Sequence, residues 1–153
     1  GLEHYNETLI NEFFNLMVIS KADYTILFRK LSEIPHEISF FEESFYLPLN
    51  DELKKRWEVW LKNWQSVLKK ESNIKAKSAS MKSLNPLYTW REWMIVPAYE
   101  EAEKGNYSKI KELQDIFSNP YLEQPSEIDH KYNRLKPSQY FNYGGVSHYS
   151  CSS

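Results

Sequence analysis

Trp57, Trp60 and Trp64 stand three and four residues apart in a stretch, residues 51–71, that also carries Leu53, Leu61, Val67 and Leu68. At about 100° per residue these seven side chains fall within an arc of roughly 120° on one helix face. Lys55, Lys62 and Lys69 fall opposite. Asn50 suits the N-cap, and Asp51 and Glu52 sit at the positive end of the helix dipole. Burying one Trp removes roughly 200 Å² from water. At about 25 cal/mol per Å² that is worth several kcal/mol before entropy is charged. A helix with this face has to be packed against others, so Trp60 and Trp64 are expected to be buried.

The rest of the chain is read around that helix. Leu9, Ile10, Phe13, Phe14 and Met17 follow helical spacing. Ser20-Lys-Ala-Asp23 reads as a capping box that opens a second helix, with Tyr24, Leu27, Phe28 and Leu31 inward and Pro35 as its stop. Residues 36–46 fit a short helix or an irregular packed segment equally well. Residues 72–84 are polar and small, a linker or a weak helix. Asn85-Pro86 marks a break, and a helix is expected at about 87–104. It would carry Tyr88, Trp90, Trp93, Met94, Ala98 and Ala102, with Pro97 kinking it and Gly105 ending it. Ser108 is expected to cap a further helix with Ile110, Leu113, Ile116 and Phe117. From residue 119 on, Pro120, Pro125, Pro137 and Gly144-Gly145 predict an extended tail, one whose tyrosines could hold to a surface. The fold class is all-α: an irregular multi-helix domain over residues 1–118, with an extended tail over 119–153 that ends in Cys-Ser-Ser.

Composition narrows the chemistry. The single cysteine excludes an internal disulfide framework and a multi-thiolate zinc site. There are 4 Gly, and neither a dinucleotide fingerprint nor a P-loop occurs. No apolar run approaches a membrane span. His4, His36, His130 and His148 form no zinc spacing, and His148 with Cys151 supplies only two ligands. Glu42-Glu43, Glu100-Glu101 and Asp129 read as a charged surface. No catalytic, metal or cofactor-binding residue is assigned within the chain. It begins on Gly1 rather than Met, which suggests a processed or cut end.

Charge is unevenly laid out. Residues 1–53 carry 3 basic and 10 acidic side chains, whereas residues 54–83 carry 9 basic and 2 acidic. The two blocks could pair with each other or could offer a docking surface to a charged partner. Nucleic-acid binding is disfavoured. The Trp share an apolar face that most of the Lys avoid, and the pI is about 6.1.

Several segments together are similar to a known family. Asp23-Tyr24-Thr25 with Phe28-Arg29-Lys30-Leu31-Ser32 comes first. Asn85-Pro86-Leu87-Tyr88-Thr89-Trp90-Arg91 comes second, as an Asn-Pro-x-Tyr-x-x-Arg stretch. Ala98 and Ala102-Glu103-Lys104-Gly105-Asn106-Tyr107 follow, and then Pro120-Tyr121-Leu122-Glu123-Gln124-Pro125. In this order they resemble the selenoprotein O family. Glu92, Asn106 and the stretch 126–149 depart from its usual pattern, as in a divergent member.

The resemblance implies a longer parent enzyme with a protein-kinase-like core, which uses ATP and Mg²⁺ to transfer AMP to protein hydroxyls. That core would precede the segments found here. This chain then corresponds to the C-terminal helical region, non-catalytic by itself, with the kinase-like core and the parent's protein substrates as partners. One position carries over. Cys151 matches the family's third-from-last residue, selenocysteine in some members, and the implied role is redox control through a disulfide to the core. Family members occupy the bacterial cytosol or mitochondria. The alternative reading is a stand-alone helical interaction module. Periodicity gives no account of Asn85, Tyr88 and Arg91, beyond a helix start with Arg91 reaching a carboxylate.

Overall fold

The computed structural model describes residues 1–70 and 73–142. It is all-α and irregular. Among the described residues the only β pairing is an isolated bridge between Ala22 and Phe45. The chain forms two compact units, residues 1–86 and Leu87 onward.

The first unit holds α1 (Glu7–Ile19), α2 (Tyr24–Leu31), a 3-10 turn (Ile38–Ser44), α3 (Asp51–Lys70) and α4 (Ile74–Leu84). Side-chain caps start the helices: Asn6 accepts from Leu9 N at 3.0 Å, and Asn50 accepts from Leu53 N at 2.8 Å. The core is aromatic. Trp57, Trp60, Leu61, Trp64 and Leu68 of α3 are buried with Leu9, Phe13, Leu16 and Met17 of α1. Phe13 stacks on Trp60 at 4.6 Å, and Trp60 stacks on Trp64 at 5.8 Å. Two of the buried indoles bond through their N–H groups. Trp57 Nε1 donates to Ser20 Oγ and Trp60 Nε1 donates to Leu9 O, both at 2.8 Å.

Several expectations are corrected here, and two left open, for residues 36–46 and 72–84, are decided in favour of helix. Asp23, not Ser20, caps α2, accepting from Ile26 N at 3.1 Å. Ser20 ends α1, and its hydroxyl is taken by Trp57. Tyr24 and Phe14 are exposed rather than inward. Residues 36–46 hold the 3-10 turn. Residues 74–84 form a true helix, because its buried Met81 and Lys77 pack despite their polar neighbours.

The second unit holds α5 (Glu92–Glu103), α6 (Ser108–Ser118), α7 (Ser126–Tyr132) and a 3-10 turn (Ser138–Tyr140). Its core joins Leu87, Tyr88, Trp93, Met94, Ala98, Leu113, Ile116 and Tyr132. The helix expected from residue 87 begins only at Glu92; ahead of it the Leu87 and Tyr88 amides both donate to Pro120 O, at 2.8 and 3.3 Å. Pro97 lies inside α5. Gly105, at φ 86°, ends the turn after α5, and the Asn106 amide reaches back to Glu101 O at 2.9 Å. Ser108 is the first residue of α6 rather than its cap, and its amide donates to Asn106 Oδ1 at 3.1 Å. The segment expected as extended contains α7, whose Tyr132 enters the core. Gly144, Gly145, His148, Tyr149 and Cys151 lie outside the described residues.

Candidate functional site

The segments that carry the family resemblance are places where the chain is tied to itself. In the first unit, Arg29 is buried at the end of α2. Its Nη1 donates to Lys82 O at 3.0 Å and to Asn85 O at 3.1 Å. These carbonyls close α4, so the guanidinium caps the negative end of that helix. Asn85 answers from the other side: its Nδ2 donates to Ser32 Oγ at 2.9 Å and to Phe28 O at 3.3 Å. Ser32 is fully buried, and Ser78 Oγ donates to its carbonyl at 2.7 Å. The Phe28 carbonyl, Arg29, Ser32, Ser78 and Asn85 therefore form one partly buried polar knot. A buried polar group without partners costs more than a bond gains, which is why these residue types occur together.

In the second unit, the Tyr88 hydroxyl donates to Asp129 Oδ1 at 2.8 Å, and Asn133 Nδ2 donates to the same oxygen at 3.1 Å. With the two amides on Pro120 O, this places Leu87 and Tyr88 against the start of the Pro-Tyr-Leu-Glu-Gln-Pro stretch. Arg91 stands at the N-cap of α5, where its carbonyl accepts from the Met94 and Ile95 amides.

A second cluster joins α6 to α7. Glu112 Oε1 accepts from both Lys131 Nζ and the Tyr132 hydroxyl. Burial works to raise the Glu112 carboxyl. Hydrogen bonds from Lys131 and Tyr132, with the charges of Lys131 and Lys109, outweigh burial and hold it below its ordinary value. Tyr132 is pushed up to about 12, by burial first and then by its bond to Glu112.

The opposed charge blocks meet inside the first unit. Arg56 pairs with Glu12 at 2.7 Å, Lys77 with Glu3 at 2.9 Å, and Lys82 with Glu33 at 2.7 Å. Glu42, Glu43, His4, His36 and His130 are exposed. Among the described residues no group of three or more His, Cys, Asp or Glu is placed to hold a metal ion. None of the described helices is long and apolar enough to cross a membrane.

The sequence model of the family described as Protein adenylyltransferase SelO matches residues 2–118. This chain belongs to that family. It is similar to Protein nucleotidyltransferase YdiU of Methylobacillus flagellatus, with 31% identity over 152 residues, covering 96% of this chain and 29% of that protein. The protein of the same name from Tolumonas auensis is 29% identical over 153 residues, covering 95% of this chain and 28% of the relative. For that of Pseudomonas fluorescens the figures are 29% identity over 127 residues, 80% and 25%. The chain thus spans less than a third of the length of the curated relatives it matches. What sequence reading missed was how the family's short segments are used. Arg29, Ser32, Asn85 and Tyr88 lie within them, but their partners are up to 57 residues away, as for Asn85 and Phe28.

Proposed function

We propose that this chain is the C-terminal helical part of a longer protein adenylyltransferase, and that by itself it is non-catalytic. The longer protein would transfer AMP from ATP to Ser, Thr or Tyr hydroxyls of other proteins. One observation carries the reading: nearly the whole chain aligns with relatives of which it spans 29% and 28%. In AMP transfer a hydroxyl oxygen attacks the α-phosphorus and pyrophosphate leaves. Transfer of this kind depends on cations and metal ions set around the phosphates. In this chain, buried Arg29 is spent on backbone carbonyls and buried Lys77 on Glu3. ATP and Mg²⁺ would be held by the kinase-like core of the longer protein, which is also the partner of this helical part.

Cys151 is the proposed redox position. Its thiol and a thiol of the core would give up two electrons and two protons to a disulfide or peroxide oxidant and form one S–S bond. Thiolate fraction and access set the rate of such exchange.

The test incubates protein substrates with labelled ATP and Mg²⁺. The longer protein is expected to label them and this chain alone is not; labelling by the chain alone would overturn the division of labour. For the tail, maleimide labelling of Cys151 in the longer protein should fall on oxidation and return with dithiothreitol, with activity following the reduced state. A Cys151→Ser variant that keeps the same redox response removes that role.

A further inference from the structure

The second unit presents one aromatic side chain outward in a fixed pose. Trp90 is 68% exposed, yet its ring stacks on Phe117 with centroids 5.0 Å apart and planes 21° from parallel. The backbone before it is pinned, since Leu87 and Tyr88 donate to Pro120 O and the Tyr88 hydroxyl holds Asp129. Beside the indole runs a groove of about 370 Å³ between α5 and α6, walled by Ile95, Tyr99, Ile110, Leu113 and Phe117. A rigid, exposed Trp over an apolar groove is the usual anchor of a protein interface.

The lining residues include no Lys, Arg or His. A nucleotide base could stack on the indole, but its phosphates would find no cation in this groove. The groove therefore fits an apolar ridge of protein. The relatives carry more than two thirds of their length beyond the part this chain matches. Polypeptide tethered in the same molecule meets such a groove at an effective concentration of about millimolar, far above that of a free second copy. Resting on the reading above, we infer that the Trp90 groove is where the catalytic part of the longer protein packs on this helical part.

The test places the photoreactive residue p-benzoylphenylalanine at position 90 of the longer protein. Irradiation should join position 90 to a peptide from outside this chain and within the same molecule. Acrylamide quenching gives a second measure. Trp57, Trp60, Trp64 and Trp93 are buried, so Trp90 dominates the quenchable emission of this chain. Interface cores are as desolvated as protein interiors. The emission lost in Trp90→Phe should therefore be quenched about threefold less strongly in the longer protein than in this chain alone. Phe keeps a ring against Phe117, and an unchanged melt verifies that the fold is intact. A cross-link between two copies, or no shielding of Trp90 in the longer protein, overturns the inference. AMP transfer by the same preparation separates the two claims. Transfer without shielding removes the docking and leaves the proposed function. Shielding without transfer removes the activity and leaves the docking.

Discussion

The two units bury their tryptophans on different terms. In the first, Trp57 and Trp60 sit deep among other rings, and each indole N–H donates to an oxygen of α1 or of its end. In the second, Trp93 is also buried, but its Nε1 has no hydrogen-bond partner among the described residues, and Arg134 lies 5.6 Å over its ring. The first unit gains from shape and from hydrogen bonds through the same side chain. The second gains from shape and leaves an indole N–H without a hydrogen bond, with polar clasps elsewhere: Tyr88 on Asp129, and Lys131 and Tyr132 on Glu112. Trp57 and Trp60 thus both pack and bond, whereas Trp93 only packs; in the first unit the buried polar atom without a hydrogen-bond partner among the described residues is Ser44 Oγ.

The largest effect expected from this contrast is at Trp57, which is fully buried. Trp57→Ala should cost roughly 3–5 kcal/mol, the range for emptying an aromatic core site. Thermal unfolding measures it, and a melt within a degree or two of the parent would mean that the aromatic face is not the core of the first unit.

The Glu112 clasp should show as a pH dependence. The folded carboxyl titrates below its unfolded value, so its stabilisation is present above the unfolded value and is lost as pH falls through the folded one. Tyr132 works at the other end. Its folded value of about 12 lies above the ordinary 10.0, so its contribution is full below 10 and fades as pH rises towards 12. Glu112→Gln should lower the melting temperature at pH 7 by a few degrees and flatten the acid limb. An acid limb of unchanged steepness would show that the clasp does not couple to folding. The smallest effect sharpens the contrast directly. Trp93→Phe loses packing but no hydrogen bond, whereas Trp57→Phe loses packing and also leaves Ser20 Oγ without its donor, so it should cost about 1 kcal/mol more. Equal costs, measured by denaturant titration, would erase the difference between the units.

The α3 face was legible because seven apolar side chains at helical spacing admit few other structures, and the buried set is a subset of those seven. The caps were harder. Ser20 and Asp23 both suit an N-cap, and the choice is made by Trp57, 37 residues from Ser20. The α4 helix hid behind Lys77, which reads as a surface residue and is buried with its ammonium on Glu3 and the Gly1 carbonyl. The start of α5 was misplaced because residues 87–91 carry helix-compatible side chains, while the contact that holds Leu87 and Tyr88 is to Pro120 O, more than thirty residues away, which local propensity does not register. The family segments could be seen in the sequence, whereas their use as buried clasps could not, since a clasp is defined by its partner.

The ties of the first unit also bear on the order in which the molecule can be made. Trp60 reaches Leu9 across 51 residues, Arg56 reaches Glu12 across 44, and Lys77 reaches Glu3 across 74. A chain leaving the ribosome from its N-terminus exposes the apolar side of α1 well before α3 exists to cover it. The acidic block of residues 1–53 is then still without its basic counterpart, because Arg56, Lys77 and Lys82 reach Glu12, Glu3 and Glu33 only once the unit closes.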